Sequence, residues 1–531
     1  MEWLAGRIML LSGARRALVA FTAGLTAVFA LPPFGIFAAP FLSFPVLVWL
    51  IDGASGNPDH GVVRRSFPAF FIGWCFGFGY FLGGLWWLGN ALLVEADEFG
   101  WAVPLAVIGL PAFLAFFYAF TVAFARLLWS DGIGRIAALA FAFGLFEWLR
   151  SFVLTGFPWN AIGYAAMPAP VMMQSAAVIG LAGVNMLAVF VFAAPALIGT
   201  RKGLRTGFSM AVLLVAAHFG YGFHRLAQPL PPPADPAVTV RLVQPLIDQS
   251  KKFDDSERWT IFEDHLTLTQ APVESGGKRP DIVVWPETSI PFLLTENPDA
   301  LLRISEVLQD GQILIAGAVR AEDAGAGQPP RYYNSIYVID DRGQIVGASD
   351  KVHLVPFGEY LPLEGLLSAA GLNAIAAAMP GGFSAAATRS VLTLPGGKTL
   401  YPLICYEAIF PREIGNDALP TNALLNITND AWFGNTPGPY QHFLQAQLRS
   451  VETGLPLIRA ANTGVSAVVD ARGEVVTGLP FGVKGYVDTI LPGKSALPMS
   501  PQEQERNGML LAGLLLALAI ISRGSFIFRE N

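Results

Sequence analysis

The sequence predicts a polytopic α-helical membrane region of about eight transmembrane helices together with one α/β domain. Of its 531 residues, 53% are hydrophobic and 14% are charged, whereas soluble domains have about 25% charged residues. The apolar residues are concentrated in the first part of the chain and at its end, and between them short strand patterns alternate with polar helical patterns. We therefore expect a transmembrane region over residues 1–229, an α/β domain over 237–493, and a C-terminal transmembrane helix and tail over 506–531.

Eight apolar segments are candidate transmembrane helices, because a span needs about 20 mainly apolar residues. They lie near residues 15–31, 35–51, 68–93, 102–128, 136–153, 171–199, 207–224 and 508–524. Arginines precede the first segment as they do in a signal peptide, but no polar cleavage region of small residues follows it. We therefore expect the first segment to be retained as a helix.

The positive charges of the short loops predict the orientation of these helices. Lys and Arg residues recur in alternate loops, at Arg7, Arg15, Arg16, Arg64, Arg65, Arg126, Arg135, Arg201, Lys202, Arg205, Arg523 and Arg529. The intervening loops are poor in positive charge, and the loop at 94–98 is acidic. Both termini are therefore expected in the cytoplasm, and the α/β domain on the outer side of the membrane.

Ionisable side chains inside spans are candidates for function. Glu147 and Arg150 can pair within one helical turn, either as a helix-end ion pair or as groups that face a substrate. His218 is expected to be a packed histidine rather than a proton relay. No span contains the series of carboxylates that is typical of ion-coupled transporters, which weakens a transport function.

After a proline-rich linker at 229–236, the α/β domain has eight strand candidates and three helix candidates. The strands lie at 238–243, 282–285, 313–316, 335–339, 400–404, 423–427, 457–459 and 466–469, and the helices at 254–270, 298–309 and 440–453. Two similar hairpins, at 339–346 and 469–476, each have Asp followed by Arg-Gly at the turn. Their recurrence predicts two similar sheets packed on each other, with helices outside.

Three reactive side chains lie at strand ends of this domain or in the adjoining loops. Cys405 ends the apolar run 400–404, where a nucleophile would be accessible at the edge of a sheet. Glu287 comes directly after a buried strand that Pro286 terminates, and Lys351 offers a fixed positive charge. Cys75 lies in a hydrophobic segment, so we expect Cys405 to be a free thiol. The alternative is that Cys405 is only a small buried hydrophobic residue.

The three motifs occur together and in a fixed order. They read Trp285-Pro286-Glu287, then Lys-x-x-Leu-x-Pro-Phe-Gly-Glu-Tyr over 351–360, then Ile-Cys-Tyr-Glu over 404–407. From about 238 to 491, the sequence resembles the nitrilase, or carbon-nitrogen hydrolase, superfamily. The stretches 426–434 and 449–464 support this resemblance. With seven predicted spans before this domain and one after it, the whole chain resembles the apolipoprotein N-acyltransferase family.

The resemblance implies an αββα sandwich and a set of roles for matching residues. Glu287 corresponds to the general base, Lys351 to the group that stabilises the oxyanion, and Cys405 to the nucleophile. Glu359 corresponds to a second glutamate that supports the lysine and the substrate.

Further positions match the family's supporting and substrate-binding residues. Tyr406 and Glu407 follow the nucleophile, and Trp432 and Phe433 lie in the segment after the next strand. The pattern Gln-x-x-Ile-x-Gln over 244–249 also matches, but Phe253 stands where some members carry Trp. This departure puts in doubt a lipid contact made specifically by an indole.

The resemblance implies transfer of a fatty acyl chain from a phospholipid, with phosphatidylethanolamine as the expected donor, through a thioester on Cys405. The acceptor is the α-amino group of the diacylglyceryl-cysteine that begins an apolipoprotein, and the location is the bacterial cell inner membrane. We expect no cofactor, no metal and no nucleic-acid partner, since no metal-ligand cluster, Gly-rich phosphate loop or basic block occurs. We also expect a monomer. The alternatives are a membrane-tethered nitrilase-type amidase that uses the same triad, and a transporter with a degenerate enzyme domain.

An apolar stretch follows Glu359. Residues 361–379 contain only one charged residue, Glu364. Because a soluble enzyme seldom exposes such a loop beside its catalytic residues, we expect a lid that dips into the membrane interface. The alternative is a helix packed against the domain's own core.

Overall fold

The computed structural model describes residues 1–531 except 55, 57–58, 234–235, 274–276, 326, 363–381, 497 and 531. Nearly all of the apolar stretch 361–379 therefore lies outside the described residues. The chain divides into two compact units. The helical unit comprises Met1–Pro229, Thr436–Leu444 and Leu497–Asn531, and the α/β unit comprises Leu230–Asn435 and Gln445–Ala496.

The helical unit contains a helix at or near each of the eight predicted segments. Its α-helices within Met1–Pro229 are α1 (Glu2–Met9), α2 (Gly13–Ala27), α3 (Pro40–Asp52), α4 (Val62–Leu85), α5 (Gly89–Leu93), α6 (Ala96–Phe99), α7 (Leu110–Leu127), α8 (Ile133–Arg150), α9 (Pro170–Met173), α10 (Ala176–Ala193) and α11 (Leu204–Ala227). Helix α1 was not predicted. It is short and amphipathic, so it lacks the long apolar run by which a span is recognised.

Within the described residues, five helical segments are long and apolar enough to cross a membrane. They are Val62–Leu93, Ala96–Leu127, Ala176–Gly199, Leu204–Ala227 and Pro501–Gly524. The predicted span at 136–153 falls on α8, which carries Arg135, Glu147 and Arg150. The predicted spans at 15–31 and 35–51 form helices of 15 and 13 residues. The total of eight spans therefore stays a prediction.

Glycines allow two of these helices to approach each other closely. A Cβ atom added at Gly24 of α2 would lie 1.9 Å from the carbonyl oxygen of Phe76 in α4. A Cβ atom at Gly79 of α4 would lie 2.1 Å from the carbonyl oxygen of Phe21 in α2. Small residues of this kind let helix backbones pack in direct contact, as they do in membrane helix pairs.

The α/β unit contains two six-stranded sheets. Their strands are β1 (Thr239–Gln244), β2 (Ile282–Val284), β3 (Ile313–Glu322), β4 (Arg331–Ile339), β5 (Ile345–Asp350), β6 (Leu392–Thr393), β7 (Thr399–Ile404), β8 (Ala423–Thr428), β9 (Leu457–Ala461), β10 (Ser466–Val469), β11 (Val475–Leu479) and β12 (Gly485–Ile490). Its helices are α12 (Arg258–Gln270), α13 (Pro298–Val307) and most of α14 (Pro437–Thr453), whose first residues belong to the helical unit. A further helix, α15 (Pro501–Glu530), belongs to the helical unit.

The two sheets have the same pattern of strand directions. The first has the order β12-β1-β2-β3-β4-β5 and the second the order β11-β10-β9-β8-β7-β6. In each sheet three central strands run parallel, β1 to β3 or β7 to β9, and the remaining strands pair antiparallel. The two predicted hairpins are β4–β5 and β10–β11.

One apolar core joins the facing sides of the two sheets. It contains Val240 and Ile282 of the first sheet and Leu425 and Ile458 of the second, all buried. The other side of the first sheet is covered by α12 and α13, whose Phe262, Leu266 and Ile304 pack on that face. The predicted pair of similar, packed sheets is therefore present in this unit, with helices on the outer face of the first sheet.

Candidate active site

Cys405 directly follows β7, a strand of the parallel centre of the second sheet. The apolar residues of β7 are buried, and the chain then enters a short helical turn, Cys405–Ile409. The φ angle of Cys405 is 49°, in the left-handed region that residues with a side chain rarely adopt. Such backbone conformations are often found at functional sites. The thiol is buried, with 8% of the residue exposed.

Glu287 lies where β2 ends, and three polar groups surround its carboxylate. Asn334 Nδ2 donates to Oε1 at 2.8 Å, and the backbone N–H of Asn429 donates to Oε2 at 2.9 Å. Lys351 Nζ lies 3.4 Å from Oε1. Pro286 cannot continue the strand, and Thr288 has a φ of 45°. The carboxylate is thus held in a buried turn by donors from two different sheets.

Lys351 directly follows β5, at the edge of the first sheet, and its side chain is almost fully enclosed. Its Nζ lies 2.8 Å from Glu359 Oε1. Asn334 Nδ2 donates to the same oxygen at 2.9 Å, and the backbone N–H of Val355 donates to Glu359 Oε2 at 2.8 Å. Lys351 therefore sits between two carboxylates, and one asparagine amide links these carboxylates to each other.

The charges of this cluster act on Cys405. Burial raises the pKa of the thiol and the negative charges of Glu287 and Asp430 add to this, whereas Lys351 opposes it. Burial alone would lower the pKa of Lys351, but Glu359, Glu287 and Cys405 outweigh it and raise that pKa. The resting site therefore holds a neutral thiol beside a permanent cation and a carboxylate that can accept a proton.

Glu407 anchors the turn that carries Cys405. Its Oε2 accepts from the backbone N–H of Ile404 at 2.7 Å. Its Oε1 accepts from the backbone N–H groups of Val352 and His353 at 2.9 and 3.1 Å, and from Arg389 at 2.8 Å. Val352 is the neighbour of Lys351, so one buried carboxylate ties the cysteine turn to the lysine loop.

Of the other predicted supporting residues, Tyr406 lies on the turn that carries Cys405, and Trp432 and Phe433 lie on a second turn. Tyr406 is buried against Phe410, with ring centroids 4.9 Å apart. Trp432 and Phe433 are half-buried in the turn Asp430–Phe433, which begins one residue after Asn429. Because Asn429 donates to Glu287, this turn is connected to the carboxylate through the backbone.

Three contributors to the site were not singled out from the sequence. Asn334 is a polar residue in the middle of β4, and Arg389 lies between the apolar stretch and β6. Asn429 falls within a stretch that was recognised only as a whole, and its Nδ2 donates at 2.6 Å to Oε1 of Gln249, the last residue of the glutamine pattern. Among the residues that the structure describes, no group of three or more His, Cys, Asp or Glu side chains could hold a metal ion.

Two family models match the chain. The model described as apolipoprotein N-acyltransferase N-terminal domain matches residues 23–194, and the carbon-nitrogen hydrolase model matches residues 239–492. Three curated relatives named apolipoprotein N-acyltransferase align along the full length of both chains. They come from Sinorhizobium fredii (70% identical), Rhizobium meliloti (68%) and Agrobacterium fabrum (60%), with 100% of each chain covered.

The chain belongs to the apolipoprotein N-acyltransferase family.

Both resemblances that the motifs predicted are thereby confirmed, and the protein is an acyltransferase of the carbon-nitrogen hydrolase superfamily. In this apolipoprotein N-acyltransferase family member, the hydrolase match begins at the first residue of β1 and ends two residues after β12. It therefore covers both sheets and every residue of the cluster described above. Among solved structures, Saccharomyces cerevisiae Nit3 is 16% identical, with 52% of this chain and 94% of that chain covered and a TM-score of 0.34.

Proposed function

We propose that this protein N-acylates lipoproteins through a thioester on Cys405. A fatty acyl chain moves from a phospholipid to the thiol, and then to the α-amino group of the N-terminal diacylglyceryl-cysteine of an apolipoprotein. The observation that carries this proposal is the cluster of Glu287, Lys351 and Glu359 beside a thiol on a left-handed turn. Full-length similarity to proteins named apolipoprotein N-acyltransferase supports it.

The first half-reaction forms the thioester. Glu287 takes the thiol proton of Cys405, and the sulfur attacks the ester carbonyl carbon of the phospholipid. Lys351 and a backbone N–H near Tyr406 stabilise the negative oxygen of the tetrahedral intermediate. The intermediate collapses by breaking the ester C–O bond, and Glu287 returns the proton to the departing lysophospholipid oxygen. Glu287 is then again a carboxylate.

The second half-reaction transfers the acyl chain to nitrogen. The neutral α-amine attacks the thioester carbonyl, and Glu287 removes a proton from the nitrogen as the C–N bond forms. The C–S bond breaks, and the sulfur of Cys405 recovers that proton. A thioester is activated toward an amine, so the site needs only to orient the amine and to exclude water.

The supporting residues have separate roles in this proposal. Glu359 keeps Lys351 charged and in place, and Glu407 fixes the cysteine turn relative to the lysine loop. Tyr406, Trp432 and Phe433 provide aromatic surface for the substrates near the nucleophile.

The donor we propose is phosphatidylethanolamine, and the enzyme acts as a monomer in the bacterial inner membrane. Eight spans place both termini in the cytoplasm and the α/β domain on the periplasmic side, as the positive charges of the loops predict. In this scheme the transmembrane region spans residues 1–229, the catalytic α/β domain 237–493, and the C-terminal transmembrane helix and tail 506–531. The five long apolar helices support a multi-pass membrane location.

Intact-mass spectrometry tests the proposal directly. Purified protein in mixed micelles with phosphatidylethanolamine should gain one fatty-acyl mass, located on Cys405 by peptide mapping. Cys405→Ala should gain none, whereas Cys75→Ala, which removes the other thiol of the chain, should gain it normally.

A diacylated lipopeptide with a free α-amine should then discharge the enzyme and appear as a triacylated product. The same lipopeptide with an acetylated amine should leave the thioester intact. Absence of any acyl mass on Cys405 would contradict the proposal, and release of free fatty acid without transfer to the amine would favour an amidase-like hydrolase instead.

A further inference from the structure

A second lysine, Lys252, contacts the backbone of the residues around the candidate base. It lies in the short helical turn Gln249–Phe253, next to the exposed Lys251. Its Nζ lies 3.2 Å from the carbonyl oxygen of Thr288 and 3.4 Å from both the carbonyl oxygen of Glu287 and Oγ1 of Thr288. The ammonium group is therefore directed into the turn that follows β2.

That turn has an unfavourable backbone conformation. Thr288 has a φ of 45°, although its β-branched side chain disfavours the left-handed region. An ammonium group that binds the carbonyls of Glu287 and Thr288 together stabilises this conformation. Lys252 thus helps to fix the backbone position from which the Glu287 side chain extends.

The turn 249–253 is also linked to the carboxylate of Glu287. Gln249 Oε1 accepts from Asn429 Nδ2 at 2.6 Å, and the backbone N–H of Asn429 donates to Glu287 Oε2 at 2.9 Å. Residues 249–253 are therefore linked to Glu287 both through its backbone and through its carboxylate.

The charge of Lys252 completes the charge balance of the site. Two carboxylates, Glu287 and Glu359, share Lys351, which leaves one surplus negative charge in a buried cluster. Burial lowers the pKa of Lys252 to about 8, and the attraction of Glu287 opposes this effect. Since this value lies above neutral pH, Lys252 is mostly charged there.

The ionisable surroundings of Lys252 are few among the described residues. Glu287 is the group whose charge acts on Lys252, and the charge of Lys252 acts in turn on buried His265. Burial lowers the pKa of His265 to about 4, so this ring is neutral when Lys252 is charged. The positive charge of Lys252 therefore acts mainly on Glu287.

We propose that Lys252 is a positioning residue for the reaction: its ammonium group, bound to the carbonyl oxygens of Glu287 and Thr288, holds the turn from which Glu287 accepts the thiol proton. This inference rests on the proposed role of Glu287 as the base for Cys405. It assigns to the turn 249–253 a positioning function, carried by the lysine that precedes Phe253.

The test compares Lys252→Met, Lys252→Arg and Lys251→Met in full-length protein that also carries Cys75→Ala. Lys251→Met removes the neighbouring, exposed charge and serves as the matched control. Two rates are measured from pH 5 to 9: acylation of Cys405 by phosphatidylethanolamine, and alkylation of Cys405 by iodoacetamide. Thermal unfolding of each variant establishes that it is folded.

We expect Lys252→Met to acylate Cys405 about 10- to 100-fold more slowly at neutral pH. Alkylation of Cys405 should also slow, because a displaced Glu287 removes the thiol proton less effectively. Lys252→Arg should restore most of both rates, and Lys251→Met should match the parent protein in both.

Two results would overturn the inference: a Lys252→Met protein with the parent's rates, or a folded Lys252→Arg protein as slow as Lys252→Met. The second result would indicate that a cation at this position does not hold the turn. Failure of the proposed function is distinguishable from both, because the parent protein itself would then form no acyl-Cys405.

Discussion

The ammonium nitrogen of Lys351 lies 2.8 Å from Oε1 of Glu359, with both side chains largely enclosed. This pair is closer than the 3.4 Å contact between Lys351 and Glu287. Glu359 is therefore the main counter-charge of the buried lysine, and Glu287 is less engaged with it. A base for the thiol needs this freedom, since a carboxylate held tightly by an ammonium group accepts a proton less readily.

Glu359→Gln should reduce acylation of Cys405 by about 100-fold while leaving the fold intact. The neutral amide removes the charge that keeps Lys351 protonated in a buried position, and Lys351 should then bind Glu287 more tightly. Acyl-enzyme formation measured by intact mass checks this. Glu296→Gln, at an exposed carboxylate, should have no effect, and an active Glu359→Gln enzyme would refute the assigned role.

Glu407→Gln should impair both stability and activity. The carboxylate accepts four hydrogen bonds, three from backbone N–H groups and one from Arg389. A glutamine side chain has only one acceptor oxygen and leaves buried donors unsatisfied, at a cost of about 1–3 kcal/mol each. We expect a lower unfolding midpoint and slow acylation, measured on the same preparation. Normal acylation in a destabilised variant would show that Glu407 supports the fold but not the reaction.

The pH dependence of stability should distinguish the half-buried Lys252 from the buried Lys351. The pKa of Lys252, about 8 in the folded protein, lies below the ordinary lysine value of 10.5. Between these values the unfolded chain binds more protons, so the contribution of Lys252 to stability rises as pH rises. The pKa of Lys351 is raised instead, so its contribution is complete below 10.5 and is lost only above that value.

Unfolding midpoints of the wild type and Lys252→Met, measured from pH 7 to 10.5, check this sign. The difference between them should change in favour of the wild type as pH rises through 8. Lys251→Met should show a constant difference over the same range. Parallel curves for the wild type and Lys252→Met would contradict the lowered pKa.

The ion pair between Glu147 and Arg150 should be important for the stability of the helical unit. Both side chains are enclosed, Tyr118 donates to Glu147 at 2.7 Å, and Arg150 donates to the carbonyl oxygens of Phe157 and Trp159. Arg150→Met should lower stability by about 3–5 kcal/mol, because it leaves a buried carboxylate unpaired. Thermal unfolding in detergent measures this.

A double variant with Glu147→Leu and Arg150→Met should recover part of the loss. If the double variant is no more stable than Arg150→Met, the pair does not act as a unit. The enclosure of both side chains agrees with the ion-pair interpretation of these residues rather than with one in which they face a substrate.

The elements that carry the site could be predicted because local patterns define them. All eight predicted strands are present. Six of them form the parallel centres of the two sheets, where continuous apolar runs of this length are typical. Strand β12 was missed because none of its residues is fully buried and it pairs with β1, about 250 residues earlier in the chain. A hydrophobic pattern contains no information about such a distant partner.

The contacts within the site could be predicted only in part. Glu287, Lys351 and Cys405 were identified because each lies in a recognisable motif at a strand end or in an adjoining loop. Asn334 bonds both glutamates from the middle of β4, where a polar residue is usually taken to face solvent. Lys252 acts on Glu287 across 35 residues of sequence, and nothing in its local context distinguishes it from Lys251.

The left-handed backbone at Cys405 implies that this protein gives up stability for reactivity. Any residue with a Cβ atom is disfavoured there by about 1–2 kcal/mol, and only glycine would be relaxed. Cys405→Gly should therefore unfold at a higher temperature than Cys405→Ala, although neither can carry an acyl group. Selection for folding stability alone would favour glycine at this position, and the need for a nucleophile opposes that change.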